Sequence, residues 1–107
     1  MAIEEVSVDE LESALANGAR LVDVREPDEY AEAHVPGAVL VPLGTVADNV
    51  DSFRGEGPTY VICKSGGRSM RACELLEDDG VAAINVAGGT MGWIISGRST
   101  ASGDQPA

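Results

Sequence analysis

Apolar residues along the chain fall into short runs separated by polar, glycine- or proline-marked breaks, and the runs alternate between strand and helix character. Ile3 to Val6 reads as a short strand. Ser7-Val8-Asp9-Glu10 follows with Ser and Glu at the spacing of a capping box, so a helix is expected to start there. Val8, Leu11, Ala14 and Leu15 recur on one face of that helix, and Gly18 is placed to stop it. Arg20 to Arg25 returns to strand character, with Leu21 and Val22 as its buried core and the charges of Asp23 and Arg25 near its far end. Pro27 suits a first helical turn and Glu26, Asp28 and Glu29 suit its positive end, which predicts a short helix over Pro27 to Ala33, ended by His34-Val35-Pro36-Gly37. Ala38 to Val41 is another apolar strand, Thr45 to Phe53 a weak helix, and Arg54 to Pro58 a loop.

The stretch from Pro58 to Glu77 is the centre of the pattern. Tyr60, Val61 and Ile62 suit a strand covered on both faces, which leaves Cys63 at the strand's end. Lys64, Ser65, Gly66, Gly67 and Arg68 then supply two glycines free to take positive φ and two cations, before Ser69 opens a helix that Gly80 ends. Ala82 to Val86 is a last strand. After Gly88-Gly89 a final helix is expected to carry Met91, Trp93, Ile94 and Ile95 back onto the sheet. Five strands alternating with helices predict an α/β domain with a central, mainly parallel sheet and helices on both faces. In such a sheet ligands gather at the carboxyl ends of strands, where Cys63 and Asp23 both stand. One domain over residues 1–98 is expected, and the small polar residues from Gly97 onward predict a frayed, flexible tail over 99–107.

Composition narrows the function classes. No apolar run approaches the roughly 18 residues of a membrane span, and MAIEEVSVDE is acidic where a secretory signal would be basic and then apolar, so a cytoplasmic protein is expected. A formal net charge of -11 argues against binding nucleic acid or an anionic membrane. Yet three of the seven Lys and Arg residues (Lys64, Arg68 and Arg71) fall between positions 64 and 71, a stretch without an acid. That positive island can concentrate a small anion locally. Cys63 and Cys73 do not have a metal spacing and His34 is the one histidine, so no metal site or disulfide framework is expected. Cys73 reads as core, with a resolving thiol for Cys63 as the functional alternative.

A glycine-rich loop feeding a helix points backbone N–H groups and the positive end of the helix dipole into one concavity, where an anion is stabilised. Taken alone, Cys63 reads as a small buried hydrophobe. Its loop turns the reading, because a thiolate at the lip of that concavity would be the first anion to benefit and a nucleophile at neutral pH.

Leu21 to Leu43, Val61 to Gly80 and Asn85 to Trp93 together resemble the rhodanese-like sulfurtransferase family, in this order and at the usual spacing, over about Val6 to Gly97. The resemblance implies that Cys63 takes a sulfane sulfur from a small anionic donor such as thiosulfate, releasing sulfite and forming a persulfide. A thiol, cyanide or a sulfur-relay protein then accepts the sulfur. It implies that the loop, here Lys64, Ser65, Gly66, Gly67 and Arg68 with Ser69 opening the helix, cradles the persulfide through backbone N–H groups while Lys64 and Arg68 attract the donor, with no cofactor. Two displacements at one cysteine imply ping-pong kinetics.

Asp23, Arg25, His34, Gly37, Gly88, Gly89 and Trp93 match family positions and are read as mainly structural. Arg25 is expected to pair with an acid such as Glu29, His34 to fix a turn by hydrogen bonding, and Trp93 to lie in the core. Arg98-Ser99 and Ala87 depart mildly from the family pattern. Two other functions fit parts of the chain. A cysteine-dependent phosphatase of the same fold has five residues between its cysteine and arginine, against the four here from Lys64 to Gly67. A non-catalytic docking or sulfide-sensing module typically lacks the cysteine.

Overall fold

The computed structural model describes residues 3–107. It contains β1 (Glu4–Val6), α1 (Val8–Ala16), β2 (Arg20–Asp23), α2 (Pro27–Glu32), β3 (Val39–Leu40), β4 (Thr59–Ile62), α3 (Gly67–Asp78), β5 (Ala83–Val86) and α4 (Gly89–Ile95). The five strands form one sheet in the order β1-β5-β4-β2-β3 with every neighbouring pair parallel. Parallel neighbours need crossover connections, which the intervening helices and 3-10 turns supply. β4 is the middle strand, so the chain leaving it at Cys63 emerges between the ends of β2 and β5.

Successive strand residues divide between two cores, as the strand period of two requires. Val22, Val61 and Cys63 join Ala72, Cys73 and Leu76 of α3 on one face, with Val46 and Phe53 beside them. Leu21, Ile62, Ile84 and Val86 meet Leu11 of α1, Tyr30 of α2 and Trp93 of α4 on the other. Helices therefore cover both faces, as expected. Local signals also act as read: the Ser7 hydroxyl accepts from the Glu10 N–H while Glu10 accepts from the Ser7 N–H, and Gly18 and Gly80 follow α1 and α3 with φ of 86° and 75°.

Three expectations are corrected. The weak helix over Thr45 to Phe53 is instead two 3-10 turns, Leu43–Asp48 and Val50–Phe53, interrupted at Asn49. Val46 and Phe53 alone are buried in these turns, too little apolar surface to organise a longer helix. The final helix does not turn Met91, Ile94 and Ile95 onto the sheet. In its seven residues Gly89, Thr90 and Trp93 share the buried face, and the helical period puts the other three on the exposed side.

The segment after Gly97 is not frayed. Ala101 exchanges both backbone hydrogen bonds with His34 (2.9 and 2.8 Å), and Gly103 donates to Ala31 O (2.7 Å). Pro106 O accepts from Gly37 N (2.9 Å) and lies 3.0 Å from His34 Nε2. The buried backbone and ring of His34 need partners, and the tail supplies them from its main chain, which side-chain composition does not reveal. His34 fixes this corner by hydrogen bonding, with Nδ1 on Tyr30 O at 2.7 Å and its ring stacked on that of Tyr30.

Candidate active site

The loop leaving β4 is held from two sides. Gly66 has φ of 109°, and a Cβ there would stand 2.6 Å from Ala87 O, so both its conformation and its neighbour require glycine. Gly89, with φ of 64°, presses so closely on the Lys64 carbonyl that any Cβ would overlap it. The first turn of α4 fastens the loop from that side: Thr90 N donates to Cys63 O (2.9 Å) and Met91 N to Lys64 O (3.0 Å). Gly67 differs from the expectation of a second positive φ. It is the first residue of α3, which opens two residues earlier than Ser69, and only Gly66 of the pair is left-handed.

That early start lets Ser69 turn its side chain back toward the cysteine. Cys63 Sγ accepts from the Gly66 N–H at 3.1 Å and lies 3.3 Å from Ser69 Oγ. Burial, at 1% exposure, pushes the Cys63 thiol up, but the Ser69 hydroxyl and the backbone N–H groups of Ser69, Gly66 and Ser65 together outweigh it and bring the thiol below an ordinary cysteine. Loop amides and a helix start do favour the thiolate. The sulfur is nonetheless enclosed, so only a slender group can reach it.

Asn85 is the residue that the sequence reading missed. Fully buried at the end of β5, its Oδ1 lies 2.5 Å from Ser69 Oγ, and its Nδ2 donates to Gly66 O (3.2 Å) and Glu5 Oε2 (2.8 Å). The signal was present: an asparagine between Ile84 and Val86, in a strand otherwise suited to burial, must find partners inside.

The charges pair differently from expectation. Arg25 does not engage Glu29; its Nε and Nη2 donate to the Asp23 carboxylate (2.8 to 3.0 Å), two residues away, and Nη2 also to Ala33 O (2.8 Å). Glu29 instead takes Arg68 in a bidentate pair (2.7 and 2.9 Å) that ties α2 to the first turn of α3. Hydrogen bonds from Arg68 and from the Glu26 N–H hold the Glu29 carboxyl down to about 2. Arg68 is thus committed to a carboxylate. Lys64, exposed beside the loop, is left to face a shallow cleft of about 290 Å³ with Arg25, Thr90, Met91 and Ile94. Ser65 and Arg71 are exposed.

Cys73 lies in the core, where burial pushes its thiol up to about 12. At neutral pH it is protonated and enclosed, which argues against the resolving role. Among the described residues no helix is long and apolar enough to cross a membrane, and no three His, Cys, Asp or Glu side chains gather as a metal site would require.

Comparison with known proteins agrees with this fold. Bacillus subtilis YtwF is 35% identical over 95 residues, covering 87% of this chain and 92% of its own length. The thiosulfate sulfurtransferase GlpE of Pseudomonas entomophila is 31% identical over 102 residues, covering 94% of this chain and 90% of its own. The crystal structure of a rhodanese-like domain protein from Staphylococcus aureus superposes with a TM-score of 0.79 at 36% identity, covering 85% of this chain and 91% of that one. Residues 7–96 match the rhodanese-like domain, and the chain belongs to that family of sulfurtransferases.

Proposed function

We propose that the protein carries sulfane sulfur on Cys63, and that the loop Lys64, Ser65, Gly66, Gly67 and Arg68 with Ser69 forms the binding site for donor and persulfide. The observation that carries this reading is the hydrogen bonding of Cys63 Sγ by the Gly66 N–H and Ser69 at the start of α3, which favours an anionic sulfur despite its burial. The Cys63 thiolate attacks the terminal sulfur of a thiosulfate-type donor. One S–S bond forms as another breaks, and the electron pair leaves on sulfite. An acceptor thiolate, from a small thiol or a sulfur-relay protein, then takes the terminal sulfur and regenerates the Cys63 thiolate.

Within the loop the roles divide. Gly66 and Ser69 stabilise the charge, Arg68 braces the loop through Glu29, and Lys64 attracts the donor. Enclosure of the sulfur favours a narrow terminal sulfur over a tetrahedral phosphate, and so this reading over phosphatase chemistry. Intact-mass measurement after incubation with thiosulfate tests it. A gain of one sulfur atom, reversed by a thiol and absent in Cys63→Ala, is expected. A protein that gains nothing, or gains it equally in Cys63→Ala, would overturn the reading.

A further inference from the structure

The sheet register lines up a polar chain that runs from the far edge of the sheet to Cys63. In the parallel ladder Asn85 of β5 stands between Glu5 of β1 and Val61 of β4. Side chains alternate along a strand, so Glu5, Asn85 and Val61 share one side of the sheet, the side on which Val61 and Cys63 pack against α3. Val6, the neighbour of Glu5, turns to the opposite core.

A carboxylate has only acceptors to offer. Glu5 Oε2 takes a 2.8 Å hydrogen bond from Asn85 Nδ2, which holds the amide with its nitrogen toward β1 and its oxygen toward α3, 2.5 Å from Ser69 Oγ. The other contact of Nδ2, to Gly66 O, is longer at 3.2 Å, so the charged residue is the stronger anchor. Accepting from Nδ2 also polarises the amide and makes Oδ1 a better acceptor. The Ser69 hydroxyl, 3.3 Å from Cys63 Sγ, is thereby drawn away from the sulfur. The other charged and titratable groups on this side are Lys64, Arg68 with Glu29, Asp23 with Arg25, and Cys73 and Glu74 of α3. None of their side chains hydrogen-bonds Asn85 among the described residues.

We propose that Glu5 is a positioning residue for sulfur transfer: through Asn85 it holds the Ser69 proton off Cys63 Sγ, which keeps the ionised sulfur a stronger nucleophile. The proposal rests on the Cys63 reading above and adds to that site a residue of the first strand. A thiolate that accepts a strong hydrogen bond forms more readily but attacks more slowly, because nucleophilicity falls with basicity at a Brønsted slope of about 0.4–0.5. Glu5 sets this balance. As Cys63 attacks, charge leaves Sγ and the Ser69 hydroxyl turns back to Asn85.

The test measures two quantities across pH: Cys63 ionisation, by the ultraviolet absorbance of the thiolate, and single-turnover persulfidation by thiosulfate. It compares the parent with Glu5→Leu, Glu5→Gln, Asn85→Ala and the double variant Glu5→Leu/Asn85→Ala. Cys73, pushed up to about 12, stays silent across the neutral range, and Glu5 is exposed at the sheet edge, so its replacements leave the core intact. In Glu5→Leu the ionisation midpoint is expected to fall by about half a pH unit. Persulfidation should then rise below the midpoint and fall on the plateau above it, each about twofold, so that the two rate profiles cross. Glu5→Gln, whose side-chain oxygen still accepts from Asn85, should move less than half as far, and Glu5→Leu should shift nothing further once Asn85 is alanine. A purely electrostatic effect of the Glu5 charge would move Glu5→Gln as far as Glu5→Leu and persist without Asn85, and a merely structural one would lower the rate at every pH. Either result, or an unmoved midpoint in Glu5→Leu, would overturn the proposal. Normal persulfidation of the parent with any of those results removes Glu5 alone, whereas a parent that forms no Cys63 persulfide sinks the reading beneath it.

Discussion

Ser69 Oγ stands 2.5 Å from Asn85 Oδ1, and the same hydroxyl is 3.3 Å from Cys63 Sγ. A hydroxyl has one proton to give. Asn85 Nδ2 faces two acceptors, Gly66 O and Glu5 Oε2, which fixes Oδ1 toward Ser69 and makes Asn85 a competitor of the sulfur for that proton. When Cys63 is a thiol, Ser69 can give its proton to Asn85 and accept from the thiol; when Cys63 is a thiolate, the proton is drawn to sulfur.

Opposite effects of two neighbouring substitutions follow. Ser69→Ala removes a donor to the thiolate, so the pH profile of persulfidation should move to higher pH and the rate at pH 7 fall on the order of tenfold, the worth of one hydrogen bond to a charged group. Asn85→Ala frees the Ser69 proton for sulfur, so its profile should not move upward, while its stability falls by about 1–3 kcal/mol because Gly66 O and the Ser69 hydroxyl lose a buried partner. Profiles that rise together in both variants would rule out the competition.

Gly89→Ala should damage the site without touching a side chain in it. The left-handed φ of 64° costs a residue with a Cβ about 1–2 kcal/mol, and the Lys64 carbonyl occupies the space that the methyl needs. The expected outcome is a lower melting temperature and a loss of sulfur transfer larger than in Gly44→Ala, where a Cβ meets nothing. Thermal melts and single-turnover rates on the two variants make the comparison.

The Arg68–Glu29 pair predicts an acid-dependent stability term. Glu29 is held at about 2 against an ordinary 4.5, so the pair's stabilisation is present above about 4.5 and is lost as pH falls towards 2. Each side chain is about one third exposed, so solvent screening limits the contribution to about 0.5–1 kcal/mol. Urea unfolding should show Arg68→Leu less stable than the parent at pH 7, with the gap closing by pH 2 to 3. A gap that stays constant with pH would assign the loss to packing instead.

Removal of residues 99–107 should destabilise the domain. The deletion strips partners from His34, Gly37 and Ala31 together with the Ser99 carbonyl that accepts from Trp93 Nε1 at 2.8 Å. About 1–3 kcal/mol is expected after water replaces part of these bonds, read as a fall of several degrees in Tm. An unchanged Tm would mean that the strap adds nothing to folding.

Much of this molecule is legible in residue order because its signals are local. The capping box at Ser7, the glycines that close α1 and α3, and the alternation of short apolar strands with helices each depend on neighbours a few positions away, and they lead to the parallel α/β sheet. The Cys63 loop is legible for the same reason, being one contiguous stretch with a left-handed glycine and a helix directly behind it. Partner choice across the fold was not. Arg68 met Glu29, 39 positions away, because the sheet order brings α2 beside the start of α3. Asn85 became part of the site because β5 lies next to β4. The tail acquired a place because a buried histidine required backbone partners that composition cannot register. Chain order carries the periodicity and turn chemistry that make each element, whereas hydrogen bonds and ion pairs between distant residues depend on a geometry of a few ångströms that exists only once the elements have assembled.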